Sequence, residues 1–190
     1  MRIFYSYEDL DHALQKAVQR INDFDEVPDD LFILKPAPNA WSADEVCRHL
    51  VRFNNLYIRQ MDRAYESLES PGPASGGKFR TGYIQHLFIK FLEPPYKIRV
   101  KTLAPMYPVE TDKTPYEVRN NLIATEKELQ NRISEYHSSD LDLNRVKGRN
   151  PLLKFLPMSL IEFILYLEAH QRRHFWQIEQ TLFKLSGIKF

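Results

Sequence analysis

The chain has 190 residues, 43% of them apolar and 27% charged, enough to bury a hydrophobic core and unlike a disordered composition. Lys plus Arg number 26 against 25 Asp plus Glu, so the whole molecule offers no general field for nucleic acid or a membrane, although a local basic patch stays open. One cysteine, Cys47, excludes an internal disulfide and fits a reducing compartment. The start Met1-Arg2-Ile3-Phe4-Tyr5 runs straight into charged residues and does not read as a secretory signal. No stretch approaches the roughly 18 apolar residues of a spanning helix. The expected location is cytoplasmic.

In chain order, the first start signal is Ser6 with Asp9 three residues on, a hydroxyl that accepts from a free backbone N–H and an acid that answers it. Leu10, Leu14, Ala17, Val18 and Ile21 follow on one face, which predicts a helix to about Asn22. Ser42 and Glu45 repeat the signal. The helix behind them runs from Trp41 to about Leu68, with Val46, Leu50, Phe53, Tyr57 and Met61 at helical spacing. Ser70-Pro71-Gly72-Pro73 stops it, and Ser75-Gly76-Gly77 keeps the chain loose. Tyr83 to Glu93 predicts a short helix ended by Pro94-Pro95, and Tyr96 to Glu110 reads as irregular.

Thr114, Pro115 and Glu117 open the third long helix, which carries Val118, Leu122, Leu129 and Ile133 and runs to about Tyr136. Asp140 to Phe155 is irregular and holds Arg145, Lys147, Arg149 and Lys154, a run read as a solvated face rather than an anion site. Ser159 and Glu162 open the last helix, with Ile164, Leu167, Ile178 and Leu182, to about Leu185. Four apolar stripes close most simply into one all-α four-helix bundle spanning residues 1–190. The stretch between the second and third long helices can traverse the bundle, so it reads as a long crossed connection.

Of six histidines, His170 and His174 stand four apart, so both rings leave one helix face and can reach a single metal. His174 continues the stripe of Ile164, Leu167 and Ile178, and His49 sits between Val46 and Phe53. Burying three imidazoles costs each a hydrogen bond or a ligand partner, and one divalent cation meets that cost for all three. Spacing alone leaves ordinary core histidines as an open alternative. His12 reads as surface, His86 as structural, and His137 as a cap on the dipole of the third helix.

Trp41-Ser-Ala-Asp-Glu45-Val-Cys-Arg-His49-Leu50 resembles the opening of helix two in the DinB/YfiT-like superfamily, and His170-Gln-Arg-Arg-His174-Phe-Trp-Gln177 is similar to its last-helix histidine segment. Glu93-Pro-Pro-Tyr-Lys-Ile-Arg and Asn150-Pro151 resemble the DinB_2 subgroup, so the resemblance covers nearly the whole chain. It implies a four-helix bundle, a homodimer, and zinc or nickel held by His49, His170 and His174. It further implies a small-molecule substrate and a thiol-S-transferase with a low-molecular-weight thiol as partner, while the open position of a metal on three imidazoles also suits a hydrolase. A non-catalytic, metal-stabilised scaffold is the alternative. Neither nucleic acid nor membrane is expected as a partner.

Glu45, one turn before His49, is expected either to orient its ring or act as a base, or only to complete the Ser42 cap. Arg173 points aside and braces a neighbour, with Arg172 and Gln177 flanking the pair. Tyr57, Tyr83 and Trp176 are candidate pocket walls, and Cys47 reads as buried filler rather than a nucleophile.

Overall fold

The structure, a computed structural model, describes residues 4–70, 76–96 and 101–187. The expected turn at Pro71-Gly72-Pro73 and Ser75, the segment Lys97-Ile98-Arg99, and Met1-Arg2-Ile3 lie outside the described residues.

A two-residue strand, β1 (Phe4–Tyr5), leads into α1 (Tyr7–Asp23), and a single turn, α2 (Asp29–Phe32), follows. Next come α3 (Ala43–Glu66), β2 (Phe79–Arg80), α4 (Tyr83–Leu92) and α5 (Pro115–Ser138). The chain closes with β3 (Lys147–Arg149), β4 (Pro157–Ser159) and α6 (Leu160–Ser186). The architecture is all-α, with six helices rather than four among the described residues. The additions are α2, the expected short helix α4, and two antiparallel ladders, β1 with β2 and β3 with β4. The strands are two or three residues long, too short for alternation to announce them.

Local chemistry sets the helix starts. The Ser6, Ser42 and Thr114 side chains each accept from the backbone N–H three residues on, and Asp9, Glu45 and Glu117 each answer at the cap N–H. At α6, the Ser159 N–H donates to Glu162 Oε2 at 2.8 Å, while the Ser159 hydroxyl has no partner among the described residues. Glu162 Oε1 accepts from Gly82 N at 2.8 Å, which binds the start of α4 to the start of α6. Gly187, at φ 75°, ends α6 in the left-handed conformation that glycine adopts without strain.

Cross-helix pairs fix the directions. Tyr7 meets the Tyr136 carbonyl and Asp25 meets Arg119, so α1 and α5 run antiparallel. Asn54 meets Thr125, and Asp62 meets Arg132, so α3 and α5 run parallel. Phe53 lies on His170, and Tyr57 faces Phe163, so α3 and α6 are antiparallel. With α1 also on α6 through Arg20 and Glu179, the four long helices form a ring in the order α1, α5, α3, α6. Two parallel neighbours in sequence require the chain to return along their length. Residues 67–114 make that return, laying α4 along α6 and the 3-10 turn Ala104–Met106 beside α3.

The core is split. One apolar cluster gathers Leu14, Phe53, Tyr57, Leu129, Leu167 and Ala169 with others, and a second gathers Ile21, Phe24, Val46, Leu50, Leu122, Phe175 and Ile178. Buried polar side chains lie at the level between them: His49, Asn54, Thr125, Glu126, His170, Gln171 and His174. Leu122 is fully buried in the second cluster. Replacing it with alanine removes transfer free energy and leaves a cavity, so Leu122→Ala lowers unfolding stability in urea by about 2–5 kcal/mol.

Candidate metal centre

Antiparallel packing brings the second turn of α3 opposite the middle of α6. There His49, His170 and His174 are 3%, 7% and 8% exposed. His49 Nε2 lies 3.4 Å from His170 Nε2, and His174 Nε2 lies 3.2 Å from the same atom. One ligand atom from each ring falls within 4.8 Å of the others, an arrangement able to coordinate a metal ion. Four-coordinate zinc holds imidazole nitrogens at about 2.0–2.1 Å, which for a tetrahedron separates neighbouring nitrogens by about 3.3 Å. The two observed spacings match that requirement.

The far sides of two rings are already held. His49 Nδ1–H donates to the Met106 carbonyl at 2.6 Å, and His174 Nδ1–H donates to Gln177 Oε1 at 2.9 Å. With the proton on Nδ1, each Nε2 turns a lone pair inward, as a ligand requires. His170 is held differently. Its ring lies flat on Phe53, with centroids 3.7 Å apart at 14°, and its Nδ1 has no partner among the described residues. Trp41 packs at 5.1 Å from the His49 ring, and Tyr107 stands edge-on to Trp41.

Burial is the main reason all three imidazoles are less basic than usual. His49 is lowered against the opposing pull of its Met106 bond. His170 and His174 are held well below the usual value, with the neighbouring imidazoles adding to burial. The cluster is therefore neutral at neutral pH, the state that binds metals. Without a cation, inward lone pairs at this spacing repel, and a single N–H on His170 can satisfy only one of its neighbours.

The remaining candidates are placed as follows. Glu45 Oε2 accepts from the Ser42 N–H at 2.9 Å, and its Oε1 pairs with Lys35 at 2.8 Å, while His49 Nδ1 is met by Met106. Arg172 pairs with Glu168 and Glu93. Arg173 lies 3.7 Å over the Tyr96 ring and donates to the Phe91 carbonyl at 3.4 Å. Trp176 stands edge-on to Tyr96. Tyr57 is core, with its hydroxyl donating to Asn150 Oδ1 at 3.3 Å, and Tyr83 is 73% exposed on α4. Cys47 is buried in the second apolar cluster, where burial pushes its thiol up and away from the thiolate. His12 is exposed, His86 is buried, and His137 stacks on Tyr7.

Two features escape sequence reasoning. The Met106 carbonyl comes from backbone in an irregular stretch, and no side-chain pattern marks it. The second is a buried carboxyl, Glu126, which is 0% exposed. Its Oε1 accepts from Asn54 Nδ2 at 2.8 Å and Gln171 Nε2 at 2.7 Å, while its Oε2 has no partner among the described residues. Burial pushes this carboxyl up to about 8, so it carries its proton at neutral pH. A polar residue on the inner stripe of α5 is the signal that could have found it.

A family model described as the DinB superfamily (DinB_2) matches residues 9–178, a span that includes all three imidazoles. No curated protein and no solved structure matches the chain.

The shifts carry opposite pH signatures. The imidazoles are less basic folded than unfolded, so the unfolded chain takes up more protons, and metal-free stability falls as pH drops through about 6.5. Glu126 is more basic folded than unfolded, so its contribution is present at low pH and declines as pH rises from about 4.3 toward 8. Urea titrations of chelator-treated protein separate the two. His170→Ala/His174→Ala flattens the decline between pH 7.5 and 5.5, leaving the part due to His49, whereas Glu126→Gln gains on the parent protein as pH rises over the same range.

Proposed function

The chain belongs to the DinB superfamily, and on that premise we propose that it is a divalent-metal protein in which His49, His170 and His174 hold zinc or nickel through Nε2. Its activity in this reading is a thiol-S-transferase or a hydrolase acting on a small molecule. The four long helices are then the bundle proper, with α2 and α4 as additions to its connections. The observation that supports the metal is the pair of Nε2 separations, 3.4 and 3.2 Å, in a cluster whose two outer rings are oriented through Nδ1.

A divalent ion bound by three neutral nitrogens keeps its charge and an open position, and so supplies Lewis acidity toward a water or a thiol. The protein's own groups bind and orient. Met106 and Gln177 fix two tautomers, Phe53 fixes the plane of His170, and Trp41 and Phe53 exclude water from the ring faces. Glu45 is committed to the α3 cap and to Lys35, so proton transfer by Glu45 in this reading requires it to leave both.

A second reading, a scaffold stabilised by metal, is favoured by one observation: the imidazoles lie in the polar layer that divides the core and join α3 to α6. Metal analysis of untagged protein decides the site, with one ion per chain expected. An ion present at 100 times its dissociation constant stabilises the fold by about 2.7 kcal/mol, so chelation lowers the melting temperature. His49→Ala/His170→Ala/His174→Ala is expected to take up none, and stoichiometric metal in that variant refutes the assignment. Turnover of an electrophile with added thiol, or of an ester, that is lost on chelation supports the enzyme. Metal without any chelator-sensitive turnover leaves the scaffold.

A further inference from the structure

The outer face of α4 is not used by the metal centre. His86, Ile89 and Leu92 face inward and are buried, yet Tyr83, Ile84, Leu87, Phe88 and Phe91 are 73%, 59%, 49%, 42% and 44% exposed. These positions recur as one helical stripe. At those exposures the five side chains present on the order of 500 Å² of apolar surface, within the range of patches that are often functional. Beside α4 lies the turn between β3 and β4. Gln85 Nε2 donates to the Pro157 carbonyl at 3.2 Å, and Phe88 shares a shallow cleft with Leu153 and Leu156. Phe155, in that turn, is 80% exposed.

The charge on these two segments has one sign. Residues 76–92 carry Lys78, Arg80 and Lys90, residues 144–157 carry Arg145, Lys147, Arg149 and Lys154, and neither span contains a carboxylate. None of these cations has a carboxylate partner among the described residues. The turn that ends the run expected to be merely solvated thus borders the exposed apolar stripe.

We propose that α4 and the β3–β4 turn dock the protein onto the surface of a bilayer that contains anionic phospholipid. A second copy seated on the same face would set these cations against their counterparts with no carboxylate to pair them. A nucleic acid would meet aliphatic Ile84 and Leu87 in the middle of the stripe, where stacking has nothing to grip. A bilayer surface answers both features, with anionic headgroups for the cations and acyl chains for the stripe. Among the described residues no helix is long and apolar enough to cross a membrane, so α4 lies in the interface. The proposal stands apart from the metal reading, since none of these residues is a ligand.

Co-sedimentation of the full chain with phosphatidylcholine vesicles, with and without phosphatidylglycerol, tests it. Sedimentation is expected with the anionic vesicles alone and is weakened by salt. Lys90→Gln and Lys154→Gln each reduce partitioning about fivefold. Ile84→Asp/Leu87→Asp reduces it roughly tenfold or more. Phe155→Asp, at a site already 80% exposed, weakens it without touching the packing. Melting temperature and metal content stay at the parent values in all four variants. Absence from the anionic pellet overturns the proposal, as does binding that ignores every substitution. A dimer by light scattering that Ile84→Asp/Leu87→Asp dissociates, without vesicle binding, overturns it in favour of a second copy. Binding of a single-stranded oligonucleotide, again without vesicle binding, overturns it in favour of nucleic acid.

Discussion

Three imidazoles sunk between two apolar clusters set the terms for the rest of this molecule. A buried ring nitrogen without a partner costs on the order of 1–3 kcal/mol, and each imidazole brings two. The fold answers two of the three outer nitrogens, with a backbone carbonyl from Met106 and a side-chain oxygen from Gln177, and leaves His170 Nδ1 with no partner among the described residues. It answers the inner nitrogens only by crowding them together at 3.2 and 3.4 Å. Crowded lone pairs on neutral rings are a poor arrangement for stability and a good one for a cation. That asymmetry between the outer and inner nitrogens separates this cluster from a set of ordinary core histidines.

The same level of the core carries a second polar knot, and the two knots are held to each other through covalent neighbours. Gln171, which donates to Glu126, follows His170, and Asn54, which donates to the same oxygen, follows Phe53. Rotating α6 or sliding α3 to spoil the Glu126 contacts would therefore also lift His170 off Phe53. Both knots are electrically neutral at neutral pH, for opposite chemical reasons: burial strips the imidazoles of protons and forces one onto the carboxyl. A layer built this way registers the helices without placing a net charge in the low-dielectric interior.

Much of this was legible in the residues. The cap pairs at Ser6, Ser42 and Thr114 mark helix starts that fall where expected, because capping is local chemistry. The crossed connection was readable as a length, and the parallel pairing of α3 with α5 follows from it. The three histidines could be placed on inner faces by period alone. What sequence could not give is what comes from elsewhere in the chain. The carbonyl of Met106 reaches His49 across 57 positions, and a carbonyl leaves no trace in residue type. Nor could spacing show that Glu45 would be held by Lys35. The short turn α2 and the ladders of two or three residues fall below the length at which a period exists to be read.

The crossed connection ties these threads together, because it faces two ways. Inward, it delivers the Met106 carbonyl to His49, and Arg48 holds it down through the Val109 carbonyl. Its α4 lies along α6, anchored at one end by Gly82 on Glu162 and meeting Arg173, the neighbour of His174, through the Phe91 carbonyl at the other. Outward, the same helix shows five large apolar side chains to solvent. A helix with large apolar side chains on two faces suits an interior, and α4 has an interior on one side only. Whatever covers its outer face therefore presses on the element that braces the metal-bearing helix. Ile89, Leu92 and Met106 of this connection belong to the first apolar cluster, so an event at the surface that moves it reaches the imidazoles and that cluster together.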